Sequence, residues 1–500
     1  MAHSVIALAL GALLTFSYAP FGLWWWPIVS LTGLFYLLHQ PGTVSKTLTA
    51  WWFGLGWFGA GISWVHVSLA DFGGIPLIAS VAMMFLLCSY LALYPALAVY
   101  IAHRFFKASH WALVLPLLWV VTEWLRSWVL TGFPWLSVGY SQLHSPLGGW
   151  LPVVGETGVS ALLILMSSGM AYALHQRHWV SCWLLLIVFP FAGSVLNSVE
   201  WSKPNGQTLR TAMVQGNIQQ ALRWVPEQDA PTMQTYASET TPYLGHDLIV
   251  WPEAAIPKLE SLALDYLHEL DTVTANAGSA LITGIVNYNF ENEQVFNNLI
   301  VVGRKQPGDE NGHYRYFHNN RFDKHHLLPI GEFVPFERWL RRLAPIFDLP
   351  MSSFTRGDFQ QRNLIANGIA IAPAICFEIA FPRQVRANLY NDTQVMLTVS
   401  NDAWFGRSHG PAQHMEIAQV RAKEFGLPLI RSTNNGISAF VDHRGEQTLA
   451  LPQFELASAS YTIPLVSGTT PYRRFGDLPI WIVTSLFALS AFLLRKRSAR

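Results

Sequence analysis

In the second half of the sequence, three residues that can do chemistry lie where a short buried strand could end; two follow apolar runs, and the third follows Arg-Phe-Asp. They are a carboxylate, Glu253, an amine, Lys324, and a thiol, Cys376. In α/β proteins, the carboxyl ends of the strands form the sheet edge at which ligands bind. If the apolar runs are strands of one α/β fold, the three side chains are expected at such an edge.

Glu253 closes the segment Asp-Leu-Ile-Val-Trp-Pro-Glu, which begins at Asp247. Pro252 cannot continue a central strand, so Glu253 lies just past the strand's carboxyl end. A functional carboxylate at the ligand-binding edge is one interpretation. A structural carboxylate at a helix N-terminus is the other, because Ala254 and Ala255 could open a helical turn.

Lys324 lies in the segment Arg-Phe-Asp-Lys-His-His, which begins at Arg321. A lysine at one position is most often a solvated surface residue, and that alternative stays open here. The neighbouring His325 and His326 raise the question of a metal site. Adjacent residues do not face one site in a helix or strand, and no HExxH-type spacing occurs nearby, so no metal is expected.

Cys376 ends the run Ile-Ala-Ile-Ala-Pro-Ala-Ile-Cys and precedes a helical stretch that begins near residue 383. A thiol at a strand-to-helix turn lies near amide N–H groups that favour the thiolate. A lone cysteine beside an apolar run is more often core packing. The coincidence of three such residues at three strand ends favours a site. The other cysteines, Cys88 and Cys182, lie in apolar runs, and three cysteines cannot form a disulfide framework.

The elements that must position these residues alternate between β-branched runs and helical patterns over residues 205–470, which indicates an α/β domain. Strands are expected at 209–215, 247–251, 280–287, 297–303, 369–375, 394–399, 428–432 and 437–441, and helices near 228–244, 259–277, 383–390 and 411–425. The polar stretch 304–320 is expected to be an exposed loop or hairpin.

The composition excludes a fully soluble or disordered chain. The 500 residues are 51% hydrophobic and 13% charged, and only nine charged residues fall within 1–200. Soluble chains carry about 25% charged residues, and disorder requires low hydrophobicity. The net charge of +1 argues against a nucleic-acid partner, whose footprint is a basic surface.

Eight apolar stretches approach the roughly 20 residues that cross a bilayer. They lie at about 4–19, 23–39, 48–70, 75–102, 110–130, 155–174, 179–197 and 478–494. A membrane domain of seven helices is therefore expected over 1–200, and a final helix with a basic tail over 476–500. The first stretch has no basic region before it, so it is interpreted as a retained helix and not as a cleaved signal peptide.

The basic residues orient these spans, since Lys and Arg are held on the cytoplasmic side. With the N-terminus inside, Lys46, Arg104, Lys107, Arg177 and the basic tail all fall in cytoplasmic segments. Seven crossings then place the α/β domain outside the cytoplasm.

The order and surroundings of Glu253, Lys324 and Cys376 resemble the nitrilase superfamily, whose Glu–Lys–Cys triad sits on an αββα sandwich. Longer motifs and the flanking spans resemble one membrane-bound family of that superfamily, the apolipoprotein N-acyltransferases of the bacterial inner membrane. These motifs are Val214-Gln-Gly-Asn-Ile218 with Trp224, Trp251-Pro-Glu253, Gly331-Glu-Phe-Val-Pro335, Met351-Ser-Ser-Phe354, Ser400-Asn-Asp-Ala-Trp-Phe-Gly406 and Arg431-Ser-Thr-Asn-Asn-Gly436. The resemblance covers nearly the whole chain.

The resemblance implies a role for each matched residue. Cys376 would be the nucleophile, Glu253 the general base that takes the thiol proton, and Lys324 the cation that stabilises the oxyanion. Glu332 matches a carboxylate that orients Lys324, and Trp224 an aromatic on a mobile loop over the cavity. Positions that line or support the site match Asn297, Arg341, Glu378, Asn401, Trp404 and Phe405.

The resemblance also implies the reaction. A fatty acyl chain, typically the sn-1 chain of phosphatidylethanolamine, would pass from a phospholipid to Cys376 as a thioester. It would then pass to the α-amine of the diacylglyceryl-cysteine that begins an apolipoprotein, in a ping-pong scheme. The partners would be these two substrates and the bilayer, no cofactor would take part, and the catalytic domain would face the periplasm.

Two other functions share some of these features. A nitrilase-like amidase tethered to the membrane would use the same triad with water as acceptor, and the multi-span domain and matched flanks favour transfer over it. A transporter with a soluble binding module would leave the placement of Glu253, Lys324 and Cys376 unexplained.

Overall fold

The computed structural model describes residues 2–41, 45–329, 331–333 and 354–497, with side chains to residue 494. The chain divides into a helical unit and an α/β unit. The helical unit comprises Met1–Ala70, Ile75–Trp201 and Thr469–Arg500, and the α/β unit comprises Ser202–Gly468 together with Asp71–Gly74. Each is described by itself.

Every apolar stretch predicted to cross the membrane contains a helix. The helices are Ala2–Leu13, Trp26–His39, Lys46–Gly61, Leu77–Phe105, Trp111–Arg126, Leu151–His175, Trp179–Asn197 and Leu478–Arg497. Among the described residues, four helical segments are long and apolar enough to cross a membrane, namely Leu77–Phe105, Ala108–Arg126, Pro146–His175 and Trp179–Asn197. The structure therefore supports a multi-span membrane protein, but it does not confirm the count of eight.

Two helices of the helical unit pack backbone against backbone. A Cβ atom at Gly11 would lie 2.0 Å from the Phe53 carbonyl oxygen, and one at Gly56 would lie 2.1 Å from that of Leu8. Glycine is the residue that permits such close approach, and small residues at helix contacts are typical of membrane helices.

Arg126 ties an irregular segment to the end of its helix. Its guanidinium pairs with Glu123 and donates hydrogen bonds to the carbonyl oxygens of Phe133 (2.7 Å) and Trp135 (2.6 Å). Carbonyl groups outside a helix need such donors where water is scarce. The buried arginine thus has a structural role in the turn that follows its helix.

The α/β unit contains two six-stranded sheets. Their strands are β1 (Ser202–Gln215), β2 (Leu248–Val250), β3 (Ala280–Asn289), β4 (Gln294–Gly303), β5 (Arg321–Asp323), β6 (Leu364–Ala366), β7 (Ile369–Ile375), β8 (Val395–Ser400), β9 (Leu429–Thr433), β10 (Ala439–Val441), β11 (Gln447–Ala450) and β12 (Ala457–Gly468). Sheet I has the order β12-β1-β2-β3-β4-β5, and sheet II has the order β11-β10-β9-β8-β7-β6.

The alternation of side chains along each strand explains how the layers stack. On β2, Leu248 and Val250 belong to a core that also contains Ile371 and Leu397 of sheet II. Ile249 points the other way, into a core shared with the helix that contains Leu267. Sheet faces sheet inside and helices cover the outside, which confirms the expected nitrilase-like αββα sandwich.

Helices cover these sheets at Pro226–Thr240, Leu264–Asn276, Pro382–Ala387 and Gly410–Phe425. Each predicted strand and helix of this unit overlaps an observed one, although β1 begins seven residues before its predicted start at 209 and the helix predicted at 259–277 begins five residues later, at Leu264. Four strands were not predicted, namely β5, β6, β11 and β12. Residues 334–353, which include most of the Met351–Phe354 motif, lie outside the described residues.

Candidate active site

The ends of strands from both sheets bring Glu253, Lys324 and Cys376 together. Lys324 follows β5 directly, and its Nζ lies 3.2 Å from Oε1 of Glu253, which follows β2. Cys376 follows β7 directly, and its thiol experiences the charges of both other residues. The three predicted residues therefore share one site.

Local packing fixes the turn that carries Glu253. The Trp251 amide donates to the Ile282 carbonyl oxygen (2.9 Å), and this bond continues the pairing of β2 with β3. Ala254 then adopts a φ of 42°. A Cβ atom at Gly284 would lie 2.2 Å from the Ala254 nitrogen, so the turn can rest on β3 only because Gly284 has no side chain.

Glu332 and Asn297 complete a buried network around Lys324. The Lys324 ammonium donates to Glu332 Oε1 at 2.9 Å. The Asn297 amide donates to Glu253 Oε1 (2.8 Å) and to Glu332 Oε1 (3.0 Å). The backbone amide of Asn401 donates to the other oxygen of Glu253 at 3.1 Å. One lysine thus lies between two carboxylates, and the predicted contact of Glu332 with Lys324 is present.

These contacts set the protonation states. Burial alone would raise the pKa of Glu253, but Lys324 and the Asn297 hydrogen bond lower it below the ordinary value. Burial alone would lower the pKa of Lys324, but Glu253 and Glu332 raise it well above the ordinary value. At neutral pH, Glu253 is therefore a carboxylate and Lys324 an ammonium.

Cys376 occupies a strained turn. Its φ is 54°, in the left-handed region that is uncommon for a side-chain-bearing residue, and it begins the short helix Cys376–Ala380. Strained residues of this kind cluster at active sites. The side chain is partly exposed and packs against the core between the two sheets.

The resting thiol is protonated. Burial and the negative charge of Glu253 raise the pKa of Cys376 to about 12, although Lys324 opposes the shift. The sequence indicated amide groups that would favour the thiolate, but burial between the assembled sheets outweighs them. The sulfur therefore needs a base to become a nucleophile.

Glu378 connects the Cys376 turn to the Lys324 segment. Its Oε2 accepts a hydrogen bond from the Ile375 amide (2.8 Å), and its Oε1 accepts from the amides of His325 (2.8 Å) and His326 (3.1 Å). Burial raises the pKa of the Glu378 carboxyl, against the effect of these donors. Glu378 thus links the backbone before Cys376 to the backbone after Lys324.

Of the remaining predicted residues, Asn401 is buried and donates from its side chain to Gln220 Oε1 at 2.6 Å. Trp404 and Phe405 are half-buried on the helix Asp402–Phe405. Trp224 is 40% exposed and has a φ of 70°. Arg341 lies outside the described residues.

Two features at this site were not singled out from the sequence. Arg223 donates from Nη2 to the carbonyl oxygens of Glu253 (2.6 Å) and Ala254 (2.7 Å). A buried cluster behind Cys376 consists of Ser400, Asp402, His414 and Arg431. Asp402 lies just past the predicted strand 394–399, as Glu253 lies just past its own strand. A carboxylate in that position was the sequence signal that could have identified the cluster.

His325 and His326 face different partners. Nδ1 of His325 lies 2.7 Å from the Gly357 carbonyl oxygen, and Nδ1 of His326 lies 2.6 Å from Gln384 Oε1. Within the described part of the chain, no three His, Cys, Asp or Glu side chains form a cluster that could hold a metal ion.

Comparison with known proteins gives matches along most of the chain. Residues 10–169 match the apolipoprotein N-acyltransferase N-terminal domain, and residues 210–470 match the carbon-nitrogen hydrolase family. Apolipoprotein N-acyltransferases of Vibrio cholerae and Vibrio vulnificus are 46% and 45% identical, over 98% and 99% of this chain and 96% and 97% of their own. A solved CN-hydrolase superfamily protein of Xanthomonas campestris aligns with 51% of this chain and 91% of its own, at 18% identity and a TM-score of 0.36.

Proposed function

Because this chain belongs to the apolipoprotein N-acyltransferase family, we propose that it transfers a fatty acyl chain from a phospholipid to an apolipoprotein through a thioester on Cys376. The acceptor is the α-amine of the N-terminal diacylglyceryl-cysteine. The observation that carries the mechanism is the Glu253–Lys324 pair beside a strained, protonated cysteine.

In the first half-reaction, the Glu253 carboxylate takes the thiol proton as Cys376 Sγ attacks the ester carbonyl carbon. The oxyanion that forms accepts a hydrogen bond from the Lys324 ammonium. Collapse of this intermediate breaks the ester C–O bond, and the leaving lysophospholipid oxygen takes the proton from Glu253. The products are a thioester and a lysophospholipid.

In the second half-reaction, the free α-amine of the lipoprotein attacks the thioester carbonyl. Lys324 again stabilises the oxyanion, and Glu253 takes a proton from the attacking nitrogen. The C–S bond breaks, Cys376 recovers its proton from Glu253, and an amide remains. A thioester suits this scheme because it holds the acyl group and stays reactive toward an amine.

The supporting residues keep these groups in their working states. Glu332 and Asn297 hold Lys324 and Glu253 in contact through hydrogen bonds of 2.8–3.2 Å. Trp404, Phe405, Trp224 and Arg341 are proposed to line or cover the acyl-binding space. The donor is proposed to be phosphatidylethanolamine.

The location follows from the substrates and the charges. Both substrates keep acyl tails in lipid, so the site must work at a bilayer surface. With Lys46, Arg104, Lys107, Arg177 and the basic C-terminal tail in the cytoplasm, we place the catalytic domain 205–470 in the periplasm and the protein in the inner membrane. The membrane domain is then 1–200, and 476–500 forms the last span and its tail.

A single-turnover experiment tests the proposal. Purified enzyme incubated with phosphatidylethanolamine alone should gain a hydroxylamine-labile acyl group on the peptide that contains Cys376. A diacylated lipopeptide with a free α-amine should discharge it, and the matched N-acetylated lipopeptide should not. Discharge by water alone would identify a tethered amidase instead. Transfer with no adduct under any donor would contradict the assignment of Cys376.

A further inference from the structure

A buried polar cluster lies directly behind Cys376 and takes no part in the mechanism above. It consists of Ser400, Asp402, His414 and Arg431, hereafter the Asp402 cluster, and each member is at most 1% exposed. Burying a charged pair with its partners in a core is costly, and such groups need a structural or functional reason.

Sheet II places the cluster next to the sulfur. Because β7 and β8 pair in parallel with Ile375 opposite Val399, the residues that follow, Cys376 and Ser400, lie side by side. Ser400 Oγ lies 3.3 Å from Cys376 Sγ and 2.7 Å from Asp402 Oδ1. The hydroxyl therefore lies between the reacting atom and a carboxylate.

The Asp402 carboxylate is held from several sides. Arg431 Nη2 donates to Oδ2 at 2.8 Å, and His414 Nδ1 lies 3.1 Å from Oδ1. A Cβ atom at Gly436 would lie 2.3 Å from Oδ2, so that glycine closes the remaining side. Burial alone would raise the pKa of Asp402, but Arg431 and His414 hold it far below its ordinary value. Asp402 therefore stays charged, and the Ser400 hydroxyl lies between it and the sulfur.

We propose that Ser400 donates a hydrogen bond to the Cys376 sulfur as its negative charge develops, and that Asp402 is the positioning residue for that hydroxyl. The inference rests on the proposed function, in which Glu253 takes the thiol proton. Ser400 has one proton to donate. It points to Asp402 while the sulfur is a thiol and turns to the sulfur when the thiol proton leaves.

The arrangement allows this exchange because Asp402 keeps other partners. When Ser400 turns away, the carboxylate retains Arg431 and His414. The far nitrogen of His414, Nε2, lies 3.1 Å from the Cys376 carbonyl oxygen. The same carboxylate thus orients the hydroxyl at the sulfur and the ring that supports the strained turn. No proton leaves the cluster, since Ser400 keeps its own and Glu253 holds that of the thiol.

The Ser400→Ala variant tests the hydroxyl and leaves the Asp402–Arg431 ion pair in place. The measurement is the rate of thioester formation on Cys376 from phosphatidylethanolamine in detergent micelles. A lost hydrogen bond to a charged group should slow it about 10- to 100-fold. The donor concentration at half-maximal rate should not change, because Ser400 is fully buried. The Ser400→Thr variant restores the hydroxyl and should recover most of the rate.

Ser432→Ala is the matched control. Ser432 is equally buried on the neighbouring β9, and its hydroxyl has no hydrogen-bond partner among the described residues. It should acylate at the wild-type rate. A wild-type rate in Ser400→Ala, or an equal loss in Ser432→Ala, would overturn the proposal. Acyl transfer to the lipopeptide that persists in Cys376→Ala would instead overturn the proposed function.

A double-mutant cycle tests whether Asp402 acts through Ser400. Asp402→Asn should slow acylation, and adding Ser400→Ala should slow it little further, because the hydroxyl is already misplaced. Rates are compared per folded molecule, and the folded fraction of each variant is measured from its thermal unfolding transition. If the fold-reduction in acylation rate of the double variant equals the product of the two single fold-reductions, the two residues act independently. The positioning role of Asp402 would then be wrong.

Discussion

Lys324→Met should destabilise the protein at neutral pH as well as inactivate it. The Lys324 side chain is 2% exposed, and those of its partners Glu253 and Glu332 are 10% and 12% exposed. Methionine fills a similar volume but leaves two buried carboxylates with no cation between them. Removing one partner of a buried ion pair costs about 3–5 kcal/mol of unfolding free energy. For a unit of this size, that lowers the Tm by about 10 °C.

The loss should depend on pH in a defined direction. In wild type, the folded-state pKa of Glu253 lies below its unfolded value. This contributes stability above about pH 4.3 that is lost as pH falls through the folded pKa. Without Lys324, burial is expected to raise the pKa of Glu253 above its unfolded value. A carboxyl with a raised pKa destabilises the folded state as pH rises. The difference in Tm between wild type and Lys324→Met should therefore be largest near neutral pH and smaller near pH 5.

Thermal unfolding in detergent, followed alongside lipopeptide acylation, separates fold from chemistry. Adding Glu332→Gln to Lys324→Met removes one stranded charge, so it should recover much of the Tm and none of the activity. Lys305→Met, at an exposed lysine, should change neither. A wild-type Tm for Lys324→Met at neutral pH, or a difference that widens toward pH 5, would refute the electrostatic reasoning.

Three further predictions concern other groups. Cys376→Ala should abolish acyl transfer with a Tm near that of wild type, because it removes a single sulfur atom from a residue that is only partly buried; unfolding with activity retained per folded molecule would indicate a core cysteine. Arg223→Lys should lower the acylation rate about tenfold, since it loses one of two hydrogen bonds that hold the Glu253 turn; single-turnover rates check this, and an unchanged rate would contradict it. In intact spheroplasts, a membrane-impermeant thiol reagent should label Glu310→Cys; labelling only after lysis would reverse the proposed orientation.

The strand ends that carry Glu253 and Cys376 could be predicted because their signals are local. Pro252 stops a strand wherever the strand packs, and an apolar run such as 369–375 is buried in any fold that contains it. Residues far apart in sequence could then be grouped, because the carboxyl ends of strands in such a fold gather at an edge.

What could not be predicted depends on assembled layers. The raised pKa of Cys376 arises only when two sheets bury the thiol beside Glu253. The short strand β5 has three residues, too few for any periodic signal. The Asp402 cluster joins residues from β8, β9 and the helices Asp402–Phe405 and Gly410–Phe425, so no single stretch of sequence contains its spacing. Most residues of β12 are exposed or half-buried, so its sequence resembles a loop until its pairing with β1 is known.

The pairing of β1 with β12 constrains when the α/β domain can finish folding. Sheet I begins with β1 at residue 202 but acquires its outer strand only with β12, at 457–468, where Leu209 lies opposite Ile463. During synthesis, the ribosome must therefore deliver nearly the whole domain before the sheet that carries Glu253 is complete. Contacts this distant along the chain form slowly. Sheet I, which carries Glu253, is therefore complete only after the chain that contains Cys376 has been synthesised.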